Sequence, residues 1–496
     1  LGTTESGAAA SEPGFERVNF CDRWLSGADV PPASGGVRGI MTAMPNSLRG
    51  QAPIVVIILA GLLATCGWLL NAQTAGPEGP IKTEIRKENG RFRLYRGGQP
   101  YYIKGVVYVG DRGGLFPMKD LVAHGANSIR SSGSVATLDE AHRLGLSVLV
   151  NLRMRTEKVD NFDYSDEKAV REQFEAIKQR VLQLKDHPAV LAWAIGNELS
   201  VFDYTNKRVW NAVNDVARFI HEVDPNHPTL TVLGDGSINR GDTVDVRELA
   251  PDLDMLGINY YRGVETVPDK IRKYGWDKPY IVTEWGPSGW WQVPRTKWDA
   301  RIEETSTEKA ERYFERYESV MGKDQEMCLG SYVFIWGQRH EHTHTWFGMH
   351  LPTGERTEAV NVMQYFWTGK WPANRAPRLE DLRIDSRAAR DSVYLKPGSE
   401  HKAVIRADDP EKDPLTFHWD IRQEVARPEA YAGRGEKPAE PMPELIVKAE
   451  GPELIFKAPA QEGAYRVFVY VTDGNGNGAT ANIPFYVSTD VADDRQ

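Results

Sequence analysis

The 496-residue chain is 41% hydrophobic and 26% charged, a balance that excludes a collagen-like, low-complexity or wholly disordered polymer. Its formal net charge of −9 excludes a general polyanion binder, which needs a basic footprint against phosphates, so no nucleic-acid partner is expected. The length calls for two or three folded units.

Residues 1–40 are rich in Gly, Ala, Ser and Pro and lack sustained apolar periodicity, which predicts a disordered tail or a start-site artefact. Residues 41–75 read as a signal peptide or an N-terminal membrane anchor. Arg49 precedes an uncharged apolar run, residues 54–70, and small residues such as Ala72 and Ala75 follow it. That run lies at the lower edge of the roughly 17–25 residues that span a bilayer, so membrane attachment through it stays open beside cleavage. Either way the chain is expected to be exported, whether periplasmic, anchored in the cell envelope or secreted. Of the cysteines Cys21, Cys66 and Cys328, only the last falls in the folded body, which rules out a disulfide framework or a cysteine metal site there.

From Glu84 short apolar runs alternate with amphipathic stretches. A hairpin around Gly97-Gly98 is followed by eight candidate strands: Tyr102–Tyr108, Asn127–Arg130, Leu146–Asn151, Val190–Ile195, Thr229–Leu233, Met255–Asn259, Tyr280–Thr283 and Ser331–Trp336. Between them, Val170, Phe174, Ile177, Val181 and Leu184 line one helical face, as do Ala310, Tyr313, Phe314, Tyr317 and Val320. Thr305 and Glu308 form a capping-box pattern before the second stripe. The texture predicts an α/β fold, a closed (β/α)8 TIM barrel over residues 84–371. Active groups in such a barrel sit at the carboxyl ends of the strands. Two carboxylates fall there, Glu198 after strand four and Glu284 at the end of strand seven. They meet only through barrel closure, and a facing pair suits glycoside cleavage, one group protonating the departing oxygen while the other attacks the anomeric carbon.

The strings Tyr102-Ile-Lys-Gly-Val-Val-Tyr108, Asn127-Ser-Ile-Arg130, Gly196-Asn-Glu198, Asn259-Tyr-Tyr261 and Thr283-Glu-Trp-Gly286 resemble the catalytic domain of glycoside hydrolase family 2 and the wider superfamily of retaining (β/α)8 glycosidases. The resemblance implies that Glu198 is the acid/base and Glu284 the nucleophile. It further implies that Asn197 bonds a sugar hydroxyl, Arg130 and Tyr261 support the nucleophile, and Trp336 floors the subsite. Trp285, Glu341 and Trp346 join them as substrate-binding or supporting candidates. Two departures stand out: no sugar-binding or immunoglobulin-like domain precedes the barrel, and Arg130 is followed by Ser131-Ser132 rather than Ser-His. A galactosidase or glucuronidase label therefore does not carry over, and a β-glucan is the suggested carbohydrate. Hydrolysis and transglycosylation remain alternatives, and a non-catalytic carbohydrate-binding envelope protein is the rival from another class. The mechanism needs no metal, although His340, His342 and His344 alternate in the loop after strand eight. Gly289-Trp290-Trp291 is either an aromatic platform for a sugar or packing at the rim.

After Pro377 short alternating strands and turns predict an immunoglobulin-like β-sandwich over residues 376–490, with a Pro/Glu-rich loop at residues 426–443. The module resembles cadherin-like and polycystic-kidney-disease-type domains through Asp408–Leu415 and Thr472–Asn475. Such domains sometimes hold structural calcium, against which Lys412 counts as a charge in the acidic turn. No other cofactor is expected.

Overall fold

The computed structural model describes residues 79–201, 206–424 and 438–490. The predicted tail, the apolar run at 54–70 and most of the Pro/Glu-rich loop lie outside them. Among the described residues no helix is long and apolar enough to cross a membrane.

Three antiparallel strands come first, β1 (Thr83–Glu88), β2 (Arg91–Arg96) and β3 (Gln99–Tyr101), one more than the hairpin expected. They close one end of the barrel. The Phe92 amide bonds the Glu326 carbonyl at 2.7 Å, Arg96 reaches the Pro188 carbonyl at 2.6 Å and the Tyr101 hydroxyl reaches the Asn127 carbonyl at 2.6 Å. Those acceptors all precede barrel strands, so the little sheet plugs the amino-terminal end and Leu94 enters the core.

The barrel consists of β4 (Ile103–Tyr108), β5 (Ser128–Ser131), β6 (Ser147–Leu152), β7 (Val190–Ile195), β8 (Thr229–Leu233), β9 (Met255–Asn259), β10 (Tyr280–Trp285) and β11 (Cys328–Trp336). Each is parallel to the next, and β11 pairs with β4 to close the ring. Their residues are almost all buried because helices cover the outside while Leu149, Leu191, Leu230, Ile281 and Tyr332 fill the inside. Burial of each such side chain contributes about 1.5–3 kcal/mol.

Both helical stripes form. Asp166 caps the helix Glu167–Leu184 by accepting from the amides of Lys168 and Ala169, and Ile177, Val181 and Leu184 are its buried residues. Thr305 and Glu308 make the reciprocal capping box of the helix Ser306–Arg316. That helix then widens into a π-turn over Tyr317–Met321, which a 3.6-residue period does not foresee.

Beyond the barrel, two four-stranded sheets share one apolar core. One is ordered Arg383–Ile384, Glu400–Val404, Glu453–Lys457, Ile446–Glu450; the other Val393–Leu395, Gly478–Val487, Gly463–Thr472, Thr416–Gln423. Ala403, Leu454 and Phe456 from the first meet Trp419, Val467, Ile483 and Phe485 from the second, which makes the smaller all-β unit. The sandwich bears directly on the barrel. Asn482 donates to Glu303 at 2.7 Å, Arg466 to the Arg301 carbonyl at 2.8 Å, and the Thr480 amide to Ser306 at 3.0 Å. Burial would raise Glu303, but Lys309 at 2.5 Å and the Thr343 hydroxyl override it and hold the carboxyl at about 2.

Candidate active site

The strand ends converge on one guanidinium. Arg130, on β5, is 2% exposed and could not be buried without partners for its donors. Nε donates to Asn151 at 3.0 Å, Nη2 to Asn197 at 2.6 Å, and Nη1 to Glu284 Oε1 at 2.8 Å and to the Thr283 carbonyl at 3.1 Å. The ends of β5, β6, β7 and β10 are thereby fixed to one planar group. Asn259, at the end of β9, adds a second tie: its amide donates to Glu198 Oε1 at 2.9 Å and to Asn197 at 3.2 Å while its oxygen accepts from Thr283 at 2.8 Å.

The two carboxylates receive different surroundings. Glu284 accepts from Arg130 on one oxygen and from the Tyr261 hydroxyl on the other, at 3.1 Å. Burial, and then the nearby carboxylates Glu284, Glu341 and Glu198, push Tyr261 well above the ordinary phenol range, so it stays protonated and donates. Among the described residues no cation forms an ion pair with Glu198. It follows Gly196, and both sit in the left-handed region, at φ of 53° and 73°, a conformation that costs a non-glycine residue on the order of 1–3 kcal/mol. Its amide bonds the Val232 carbonyl at 2.9 Å, which holds the turn and aims the side chain at Gly234. A Cβ at Gly234 would stand 3.1 Å from Glu198 Oε1, so the glycine leaves room for the carboxyl. Burial, then the negative charges of Glu284 and Asp235, push Glu198 up to about 7.

The structure thus brings Arg130, Asn197, Glu198, Tyr261 and Glu284 together. Tyr260, one residue earlier, turns away to bond Asn239 at 2.9 Å. Three tryptophans expected as substrate-binding or supporting residues are buried, which corrects Trp336 as the floor of the subsite. Trp336 is 1% exposed and packs against His350 and His124, ring centroids 4.5 and 5.9 Å away. The pairing of β11 with β4 shifts register between Val333 and Trp336, and the β11 ring that meets Tyr261, at 6.1 Å, is Phe334. Trp285 is fully buried against Tyr313 and Tyr317, where it braces the strand behind Glu284. Trp346 is 1% exposed and donates to the Ser288 carbonyl at 3.0 Å, so it packs the loop. Glu341, 8% exposed, accepts from Trp290 Nε1 at 3.1 Å and pairs with Arg339 at 3.3 Å.

Asn151, Phe334 and Asp235 join the site without being singled out by the sequence, and Asn259, quoted there within a motif, joins it without having been given a role. Asn259 ends β9, Asn151 and Phe334 lie within the last three residues of β6 and β11, and Asp235 lies two residues past β8, so position near a strand end is the available signal. The histidines do not converge on one point. His344 bonds the Tyr470 hydroxyl and is pushed down to about 3, chiefly by burial, whereas His342 faces Trp290 and Trp346.

In the C-terminal sandwich, oxygens of Asp409, Asp413 and Asp473 lie within 4.8 Å of one another. Asp409 Oδ2 is buried without a partner, and Lys412 turns to Asp408 at 2.6 Å rather than to this trio. An all-oxygen set of this charge fits a hard cation such as calcium.

Fold and mouth together define a (β/α)8 barrel whose strand ends present two carboxylates in unlike surroundings. Residues 124–291 match the family described as glycosyl hydrolases family 2, TIM barrel domain. A β-glucuronidase of Streptococcus agalactiae serotype V is 26% identical over 261 residues, 43% of this chain and 42% of that protein. Among solved structures, a β-glucuronidase from an uncultured Clostridium is 18% identical, with TM-score 0.46, covering 58% of this chain and 54% of that one. The corresponding values for a β-D-glucuronidase of Dictyoglomus thermophilum are 16%, 0.45, 58% and 54%. The chain therefore spans about half the length of these relatives or less.

Proposed function

We propose that this chain is a retaining β-glycosidase acting on a neutral β-glucan. The observation that carries the reading is the contrast between Glu284, which accepts from Arg130 and Tyr261, and Glu198, which burial and neighbouring carboxylates raise to about 7. Glu284 attacks the anomeric carbon as Glu198 gives its proton to the departing oxygen, forming a glycosyl ester. Glu198 then takes a proton from the incoming water or sugar hydroxyl, which displaces Glu284. Asn197, fixed by Arg130 and Asn259, is placed to bond the hydroxyl beside the anomeric carbon.

A neutral sugar is favoured by charge. Glu198, Glu284, Asp235 and Glu341 crowd the mouth, and Arg130 and Arg339 are already paired with Glu284 and Glu341. A uronate would add a further carboxylate to this group. Export is supported by the apolar run at 54–70, and a structural calcium ion by Asp409, Asp413 and Asp473.

The test is incubation with 2-deoxy-2-fluoro-β-D-glucosyl fluoride followed by peptide mass analysis, with NMR of the first product formed from a β-glucan. One label per chain on Glu284 and a β-configured first product are expected. Absence of both labelling and turnover, or an α-configured first product, overturns the reading.

A further inference from the structure

Among the described residues Trp291 is the one exposed tryptophan, at 39%, and it is held firmly for an exposed ring. Its Nε1 donates to Asp235 Oδ2 at 3.0 Å. Its ring meets Tyr261 edge-on, centroids 5.4 Å apart, and Trp290 at 5.1 Å. A Cβ at Gly289 would come within 2.6 Å of the indole, so that glycine allows the ring to fold back over its own turn. Gln292 clasps the turn by donating to Asp235 at 3.4 Å and to the Arg262 carbonyl at 3.2 Å. An apolar face kept in water by this many contacts is preorganised for a flat partner, because the ordering cost has been met before anything binds.

The anchors of the indole also fix which side of the cleaved bond it serves. Asp235 follows Gly234, which abuts the Glu198 carboxyl, and Glu198 faces the departing oxygen in the proposed mechanism. Tyr261 bonds the nucleophile. The indole therefore spans from the nucleophile toward the acid and flanks the leaving group. A β-linked glucosyl unit, with its hydroxyls equatorial, presents a face of C–H bonds that suits an indole.

We propose that Trp291, latched by Asp235, is the stacking platform for the sugar on the leaving-group side, so that the site selects a glucosyl residue there and offers the same face to an incoming sugar acceptor. The inference rests on the glycosidase reading, with Trp291 a binding residue and Asp235 a positioning residue.

The test compares β-D-glucosyl fluoride, whose leaving group has no ring, with whichever of laminaribiose, cellobiose and gentiobiose the wild type cleaves fastest. For Trp291→Ala the ratio of kcat/KM on the disaccharide to kcat/KM on the fluoride is expected to fall tenfold or more, mostly through KM. Asp235→Ala should follow it, whereas Asp235→Asn, whose amide oxygen still accepts from the indole, should retain most of the ratio. Fluoride turnover reports that each variant is folded. An unchanged ratio in Trp291→Ala overturns the platform and leaves the glycosidase reading standing. A wild type that turns over neither kind of substrate overturns both.

Discussion

Glu198 and Glu284 are the same residue type at the same end of one barrel, yet their surroundings are opposite. Glu284 ends a strand whose neighbours supply a guanidinium and a phenol. Glu198 ends one whose neighbours supply an amide, a glycine and two further carboxylates. What the adjacent strand ends carry therefore decides what each of two identical side chains meets, and at Glu198 burial and neighbouring carboxylates raise the carboxyl. Chemistry resides in the ring of strand ends as a set.

Removing either carboxylate tests the comparison most severely. Glu284→Ala is expected to lose turnover by on the order of 10⁴-fold or more on every substrate, because no covalent intermediate forms. Glu198→Ala should lose about 10²–10⁴-fold on unactivated glycosides but much less when the leaving group needs no proton. Steady-state rates on a disaccharide and a dinitrophenyl glycoside separate the two patterns, and equal losses on both substrates in both variants would erase the distinction. Tyr261→Phe removes one of the two donors to Glu284 and is expected to lower kcat by about 10–100-fold, on the scale of one lost hydrogen bond to developing charge.

The smallest effect is on stability. Folding raises Glu198 above the roughly 4.3 of an unfolded glutamate, so the unfolded chain ionises first. The resulting penalty on the native state grows as pH rises from that value to about 7 and is complete above it. Glu198→Gln should therefore melt higher than wild type at pH 8 and lose that advantage below about pH 4; scanning calorimetry at both pH values reads the difference. The same melting difference at both pH values would show that Glu198 is not raised by folding.

The barrel was legible because buried parallel strands read as apolar runs: β7, β8 and β9 span the residues expected from the sequence. The carboxylate pair was legible because it ends two such runs. The family resemblance implied Trp336 as the floor of the subsite, but the pairing of β11 with β4 shifts register between Val333 and Trp336, and Phe334 stands beside Tyr261. Trp285 directly follows Glu284, so a strand that points the carboxylate into the mouth must point the indole into the layer behind it. Asp235 was missed because its meaning comes from Trp291, a partner far along the chain that no local pattern connects to it.

The change of texture after Trp371 marks a boundary in composition but not in load. Glu303 belongs to the segment between β10 and its following helix, and it is gripped by Lys309 and Thr343 of the barrel and by Asn482 of the sandwich. His344, in the loop that also carries Arg339 and Glu341, leans on Phe468 and Tyr470. One wall of the mouth thus rests on the second domain, which works as a keystone: the loop's shape is set from outside the barrel, and sequence drift in the sandwich can reshape the mouth without touching a residue that lines it.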